Sequence, residues 1–168
     1  MEKIWISGNS GSGKTTLADL IGKKFDIPVY HRDAISWDKD WNPIPEEKQN
    51  EIIKNFTKTD KWIYEGCRYT ASKIDGRLVF CDTIIYLNIN KFTCLFRGLR
   101  RYRKQLKSNT PKEDLQPITF KMIGYILHDF PKKYKERKGI FDFAKKNGKN
   151  VVILNGFRNV KRFIKTLN

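Results

Sequence analysis

The stretch Gly-Asn-Ser-Gly-Ser-Gly-Lys-Thr, residues 8–15, decides the fold because it matches the phosphate-loop pattern G-x-x-x-x-G-K-[S/T] in full. An apolar run at residues 3–7 precedes it. Apolar residues follow at helical spacing: Leu17, Leu20, Ile21 and Phe25. A strand, a glycine-rich turn and a helix in this order predict a loop that binds nucleotide phosphates. The alternative is a glycine-rich turn without a ligand.

The loop composition indicates how phosphates are held. Glycines let backbone N–H groups turn toward the anion, and the helix N-terminus adds its dipole. In this motif the Lys14 ammonium contacts the β- and γ-phosphates, and the Thr15 hydroxyl holds Mg²⁺. The residues that we expect to contact the nucleotide here are Gly8, Asn9, Ser10, Gly11, Ser12, Gly13, Lys14, Thr15 and Thr16.

The remaining chain alternates strands and helices. Further strands are predicted at residues 28–30, 62–64, 83–87 and 150–154, separated by helical patterns. Strands joined by helices favour a parallel sheet covered on both faces, which is an α/β three-layer arrangement of about five strands. Residues 1–168 read as one domain. The mixed polarity and prolines after residue 105 predict a lid-like insertion at about 105–137, which we call the lid.

Charge divides the chain in two. The net charge is +16, yet residues 1–90 contain 13 basic and 13 acidic side chains, whereas residues 91–168 contain 21 and 5. A basic second half indicates a polyanionic partner such as nucleotide phosphates or nucleic acid, or else solvated lysine-rich helices. Three cysteines lack metal-ligand spacing, and no apolar run approaches the ~18 residues of a membrane span. We expect a cytoplasmic protein that does not enter membranes.

The chain resembles one family nearly from end to end. The segments that carry the resemblance are residues 8–15, 28–33 with Trp37, 62–66, 82–87, the arginine helix, 130–133 and 151–154. The chain is similar to the adenylate-kinase-related P-loop proteins of the DNA topology modulation (FlaR-type) family. The resemblance implies a P-loop NTPase fold like that of nucleoside monophosphate kinases, with ATP and Mg²⁺ as cofactors. It defines the phosphoryl acceptor poorly.

Three positions depart from the related nucleotide kinases. Glu65 stands where they have Asp, so a carboxylate that orients the Mg²⁺ shell through water is one methylene longer. Arg68 follows that carboxylate by three residues, where the relatives have arginine after four. Arg32 replaces an apolar residue and makes the acceptor site more cationic. The residues predicted at the acceptor site are His31, Arg32, Asp33, Trp37, Glu65, Gly66 and Arg68.

Asp33 follows the second strand, at the sheet edge where α/β folds bind ligands. In similar small-molecule kinases an aspartate here acts on the acceptor hydroxyl as a base or orienting group; otherwise Asp33 caps a helix that begins at Ala34. His31 is either a site residue or a hydrogen-bonded structural residue. Trp37 and Trp41 either stack on an acceptor ring or anchor their loop.

Arginines of the second half complete the predicted site. Arg97 and Arg101 lie four residues apart on one helix face. They resemble the pair that precedes the lid of adenylate kinase, where one stacks by adenine and the other meets phosphates; a solvated basic face is the alternative. We predict that Leu95, Phe96, Leu99 and Leu106 form the buried face of this helix. We predict that Arg137 is a second lid arginine and contacts ATP. Phe157 and Arg158 lie in a segment that resembles the loop behind the adenine ring.

Two functions of different classes fit these patterns. The first is a Mg²⁺·ATP-dependent phosphotransferase that acts on a small acceptor, with catalytic roles for Lys14, Asp33, Arg97 and Arg101. The second is a nucleic-acid-binding, topology-modulating protein with P-loop ATPase activity. The oligomeric state leaves no signature in the sequence.

Overall fold

The computed structural model describes residues 1–38, 42–108 and 118–167. Its strands are β1 (Lys3–Gly8), β2 (Val29–His31), β3 (Trp62–Glu65), β4 (Thr83–Asn88) and β5 (Asn150–Asn155). Its α-helices are α1 (Lys14–Phe25), α2 (Arg32–Ser36), α3 (Glu46–Thr57), α4 (Arg77–Phe80), α5 (Lys91–Lys107), α6 (Phe120–Gly124), α7 (Phe130–Lys132), α8 (Tyr134–Lys146) and α9 (Gly156–Thr166). A π-helix occupies Tyr125–Asp129, and one 3₁₀ turn occupies Thr70–Ser72.

The described residues form a five-stranded sheet in the order β2-β3-β1-β4-β5, and every strand pair is parallel. The parallel α/β sheet with helices on both faces is therefore confirmed. β1 lies between β3 and β4, so the strand order reverses at β1. In open α/β sheets, ligands bind at the carboxyl end of such a switch point. The loop at residues 8–15 emerges there.

Both faces of the sheet are buried, which explains the continuous apolar run of β1. Trp5 points into a cluster with Tyr64, Phe56 and Phe141. Its neighbours Ile4 and Ile6 point into a second cluster on the opposite face. A parallel strand covered on both sides has no solvent-facing positions, and so it lacks the alternation of a half-exposed strand.

A buried ion pair supports the turn after β3. Arg77 and Asp75 are fully buried, and the Arg77 Nε lies 3.0 Å from both Asp75 carboxylate oxygens. The guanidinium stacks on the rings of Trp5 and Tyr64 at 4.9 and 4.3 Å. Its Nη2 donates to the Arg68 carbonyl, so the pair fastens the chain just after Glu65. Sequence analysis did not anticipate this pair.

The predicted buried face of α5 is partly wrong. Phe96 and Leu106 are 63% and 51% exposed, and the buried residues are Cys94 and Gly98. Small residues face inward because the helix backbone lies against the phosphate loop. A Cβ on Gly11 would stand 2.2 Å from the Cys94 carbonyl oxygen.

Part of the segment predicted as the lid is packed. Ile126 and Phe130 are buried in the two apolar clusters, and Arg137 is buried at the start of α8. A movable lid at about 105–137 stays a prediction from the sequence. Pro111, Pro117 and Trp41 lie outside the described residues. Among the helices of the described ranges, none is long and apolar enough to cross a membrane.

Candidate active site

The loop between β1 and α1 has the backbone conformation that phosphate binding requires. Gly11 and Gly13 have φ values of 79° and 94°, in the left-handed region that favours glycine. Ser12 N–H donates to the Asn9 carbonyl at 3.1 Å and closes the turn. Gly13 precedes α1 and offers no side-chain cap, so the first N–H groups of this helix are available to an anion.

Asn9 holds this loop in place. Its side chain is buried, donates to the Ile126 carbonyl at 2.9 Å and accepts from Ser10 N–H at 2.8 Å. The side chain is thus committed to the protein, and only the backbone of Asn9 is left for a phosphate. Ile126 lies in the π-helix, so this hydrogen bond connects the phosphate loop to the second half of the segment predicted as the lid.

Glu65 is the centre of the site. Its carboxylate lies 3.1 Å from the Lys14 Nζ, accepts from the Thr15 hydroxyl at 3.2 Å and lies 3.4 Å from the His31 Nδ1. Burial opposes ionisation of Glu65, but His31 and Lys14 outweigh it and hold its pKa below the ordinary value. Burial likewise opposes protonation of Lys14, yet Glu65 raises the pKa of Lys14. Both groups are therefore charged at neutral pH.

His31 supports the Glu65 carboxylate through a hydrogen bond. Besides Glu65 it contacts Asp19, with 3.2 Å from its Nε2 to the Asp19 Oδ1. The hydrogen bond to Glu65 is the main cause that raises the pKa of His31, against partial burial. Because both ring nitrogens are engaged by carboxylates, His31 orients Glu65 and has no nitrogen left for an acceptor.

The residues present fit a magnesium ion. Mg²⁺ prefers hard oxygen ligands and usually binds through one or two protein groups, water and substrate phosphates. The Thr15 hydroxyl and the Glu65 carboxylate are adjacent oxygens beside the loop. The described part of the chain contains no cluster of three or more His, Cys, Asp or Glu that could hold a metal. A site completed by nucleotide phosphates and water agrees with this composition.

Asp33 is exposed near the start of α2, within electrostatic range of Lys14 and Arg101. The helix begins at Arg32 with His31 before it, so the alternative that Asp33 caps a helix starting at Ala34 is wrong. Burial lowers the pKa of Arg101, and the charge of Asp33 opposes this shift. Asp33 also adds to the raised pKa of Lys14, by less than Glu65 does.

Arg97 links the loop to the chain after β5. Its guanidinium stacks on the Phe157 ring at 4.2 Å, and its Nη2 would lie 3.4 Å from a Cβ on Gly13. One planar cation therefore lies beside both the phosphate loop and an aromatic ring. Arg158, next to Phe157, is exposed. The structure thus brings together Arg97 and Phe157, which the sequence placed in one site.

On the acceptor side, Arg68 is already paired. It contacts Glu46 on α3 and lies 3.3 Å from the Gln49 Oε1, so it joins α3 to the turn after β3. Trp37 forms an isolated antiparallel bridge with Pro43. Gly66, directly after β3, accepts a hydrogen bond from the Trp5 indole at 2.8 Å.

Arg137 is not an exposed lid cation. Its guanidinium lies among the rings of Phe130, Tyr86, Tyr69 and Tyr134, 4.8–5.9 Å from their centres, and Nη1 donates to the Phe130 carbonyl at 3.3 Å. It lines a cavity of about 330 Å³ that also includes Asn9 and Lys91. Arg137 therefore lines the same cavity as Asn9 of the phosphate loop, and the surrounding rings hold it there.

Two residues near the loop were missed. The Cys67 thiol donates to the Gly8 carbonyl, 2.6 Å away, and the Tyr69 hydroxyl lies 2.5 Å from the Ser7 hydroxyl. Both follow β3 and reach across to the end of β1. They lie three residues and one residue ahead of a short 3₁₀ turn, a position that leaves no periodic signal in the sequence.

A parallel sheet in this strand order, with a phosphate loop after the central strand, defines a P-loop α/β protein. Among solved structures, the chain is similar to shikimate kinase from Aquifex aeolicus, with a TM-score of 0.54 and 18% identity over 98% of this chain and 94% of that one. It is also similar to deoxyadenosine kinase from M. mycoides, with a TM-score of 0.51 and 16% identity over 98% and 95%.

These similarities establish the P-loop kinase fold. Comparison with family models and with curated proteins gives no match. Membership of the DNA topology modulation family therefore stays a prediction from the sequence.

Proposed function

We propose that the protein is a Mg²⁺·ATP-dependent phosphotransferase that acts on a small acceptor. One observation carries the proposal: Lys14 and Thr15, the two functional side chains of the phosphate loop, converge on the buried carboxylate of Glu65. A loop that served only as a structural turn has no need of a buried cation and a buried anion at its end. The shikimate and deoxyadenosine kinases named above share the fold and support this class of activity.

The reaction forms a bond between an acceptor oxygen and the γ-phosphorus of ATP and breaks the bond from that phosphorus to the ADP oxygen. Lys14, Arg97 and Arg101 bind and neutralise the phosphates. Mg²⁺, when bound, would supply charge neutralisation at the phosphate oxygens, held by Thr15 and through water by Glu65. If the acceptor is a hydroxyl, its proton passes to Asp33.

The finer assignments belong to the same proposal. We infer one kinase-like domain over residues 1–168, ATP as the nucleotide, and Phe157 and Arg158 beside its base. A cytoplasmic location and membership of the DNA topology modulation family complete the proposal and rest on the sequence alone.

A nucleic-acid-binding function is the second candidate, and the surface of α5 favours it. Phe92 and Phe96 are exposed one turn apart, and Arg100 and Arg103 follow on exposed positions. Exposed aromatics with arginines suit the stacking of bases and the binding of phosphates in single strands. Duplex and single-stranded DNA titrations over a salt series test this candidate, because phosphate neutralisation gives a steep linear fall of log K with log[salt].

The proposed kinase activity is tested with Lys14→Ala. The protein is incubated with Mg²⁺·ATP and a metabolite panel, and the phosphorylated product is identified by mass spectrometry. We expect wild-type turnover and none with Lys14→Ala, while the exposed Lys161→Ala serves as a control with one lysine fewer. Circular dichroism verifies that each variant folds. Equal turnover by a folded Lys14→Ala protein would contradict the proposal.

A further inference from the structure

Arg32 is a half-buried arginine whose guanidinium forms no hydrogen bond or ion pair within the described ranges. Its Nε is inaccessible to solvent and has no partner there. Other half-buried or buried arginines are engaged: Arg68 by Glu46, Arg77 by Asp75 and Arg137 by the Phe130 carbonyl. Arg32 therefore stands apart as a half-buried cation that has no ion-pair partner among the described residues.

The position of Arg32 is set by Gly66, the first residue after β3. A Cβ on Gly66 would stand 2.6 Å from the Arg32 Cβ, 3.0 Å from its Cδ and 3.0 Å from the Tyr64 hydroxyl oxygen. Tyr64 is fully buried, and its hydroxyl also has no partner among the described residues. The Arg32 and Tyr64 side chains, each with a polar atom that has no partner among the described residues, thus both pack against Gly66, where a larger residue would collide with them.

Arg32 lies near the phosphate loop. The residue before it, His31, has its Nδ1 3.4 Å from the Glu65 carboxylate, which lies 3.1 Å from the Lys14 Nζ. Burial raises the pKa of the Tyr125 phenol to about 12, and the charges of Arg32, Lys14 and Arg137 act in the opposite direction, in agreement with this placement. Arg32 and Lys14 therefore approach the same region from the first residues of α2 and α1.

The burial and the planar shape of a guanidinium predict which ligands such an arginine binds. A partly desolvated charge is unfavourable unless an opposite charge and hydrogen bonds compensate for it. The planar fork of a guanidinium matches the oxygens of a carboxylate or a phosphate. Asp33, the next residue, supplies a carboxylate on the same short helix. A cation and a base side by side suit a molecule that has both an anionic group and a hydroxyl.

We propose that Arg32 binds an anionic group of the phosphoryl acceptor, so that the acceptor is a small hydroxylated anion and not a neutral nucleoside or sugar. This inference rests on the proposed kinase function. The anionic group is a carboxylate or a phosphate. The acceptor hydroxyl then lies on the Asp33 side.

The test uses matched pairs that differ in one anionic group. The carboxylate arm compares glycerate with glycerol and gluconate with glucose, and the phosphate arm compares glycerol 3-phosphate with glycerol and deoxycytidine monophosphate with deoxycytidine. Each compound is incubated with Mg²⁺·ATP, and phosphorylated product is measured by mass spectrometry. We expect turnover of an anionic member and not of its neutral partner.

Arg32 variants then identify the group responsible. Loss of a charge-assisted hydrogen bond weakens binding by about 10- to 100-fold. We expect Arg32→Gln to raise the KM of the anionic acceptor by roughly that factor with a much smaller change in kcat and in the KM of ATP. Arg32→Lys, which keeps the charge and loses the fork, should lie in between. Arg162→Gln removes an exposed arginine of α9 and should match the wild type.

Two outcomes overturn the inference and leave the kinase function standing: turnover of a neutral member as fast as its anionic partner, or an unchanged acceptor KM in Arg32→Gln. If no compound is turned over, ligand-observed NMR with protein loaded with Mg²⁺ and a non-hydrolysable ATP analogue decides instead. Anionic members must then bind in an Arg32-dependent way, and equal or absent binding refutes the inference. Failure of the kinase function itself is seen separately, as ATP binding that does not depend on Lys14.

Discussion

Replacing Gly11 by alanine tests how closely α5 approaches the phosphate loop. The new methyl group would stand 2.2 Å from the carbonyl oxygen of Cys94 and 3.3 Å from its Cα, and both atoms are backbone. They move only if the helix or the loop moves. A left-handed backbone costs alanine about 1–2 kcal/mol, and forcing a methyl into a filled space costs about 1–3 kcal/mol more. We therefore expect a loss of about 2–5 kcal/mol in the free energy of unfolding.

Two other glycines separate these contributions. Gly148 has a φ of 71° but nothing within 4 Å of an added Cβ, so Gly148→Ala should cost only the backbone part of about 1–2 kcal/mol. Gly139 lies inside α8 with open space around it, and Gly139→Ala should stabilise the protein by about 0.5–1 kcal/mol. The series therefore runs from a large loss of stability through a small loss to a small gain.

Thermal unfolding with and without Mg²⁺·ATP is the assay. For a protein of this size each kcal/mol corresponds to about 2–4 °C in Tm. Gly11→Ala should also lose the rise in Tm that ATP gives the wild type, because displacement of the loop misplaces its N–H groups. If Gly11→Ala melts together with Gly148→Ala and keeps the full response to ATP, the close contact between the loop and α5 is refuted.

Three further predictions concern single side chains. Asp33→Asn should lower kcat for a hydroxyl acceptor by about 10²–10⁴-fold and affect mainly KM for a phosphate acceptor, whose nucleophile needs no base; steady-state kinetics on the identified acceptor decide. Phe157→Ala should weaken ATP binding in calorimetry by removing the ring on which Arg97 stacks, and unchanged affinity would place the base elsewhere. Burial opposes ionisation of Asp82, but hydrogen bonds from the backbone N–H groups of Glu2 and Lys3 to its Oδ2 hold its pKa below the ordinary value. Denaturant unfolding should therefore show Asp82→Asn less stable than wild type by about 1 kcal/mol at pH 7, with the difference vanishing as the pH falls below about 4; a constant difference would count against this account.

Most of the fold was predictable because its signals are local. The phosphate motif fixes one strand, one turn and one helix, and the apolar runs of β4 and β5 mark strands without ambiguity. The helix α2 entered only as an alternative beginning at Ala34, because its five residues contain no repeat of a helical pattern. The predicted buried face of α5 was partly wrong because periodicity reports which residues are apolar, and here small residues face inward, Cys94 against the phosphate loop and Gly98 against the Ile118 side chain.

The site was predictable only where a residue belongs to a motif. Lys14 and Thr15 follow from the loop pattern, and Glu65 follows from the resemblance. The support that His31 gives to Glu65 depends on Asp19, which lies on another element, and no sequence pattern links Asp19 to His31. The buried environment of Arg137 likewise arises from aromatic residues that are far apart in the chain and meet only after folding.

The π-helix at Tyr125–Asp129 places a constraint on chain length. One residue fewer in this stretch would restore a regular helix and rotate everything after it by about 100°, because an α-helix has 3.6 residues per turn. Phe130 would then leave its cluster, and the carbonyl that accepts from Asn9 would point elsewhere. Substitutions on the outer face of this turn should be tolerated, whereas a single-residue deletion should release the phosphate loop from its support.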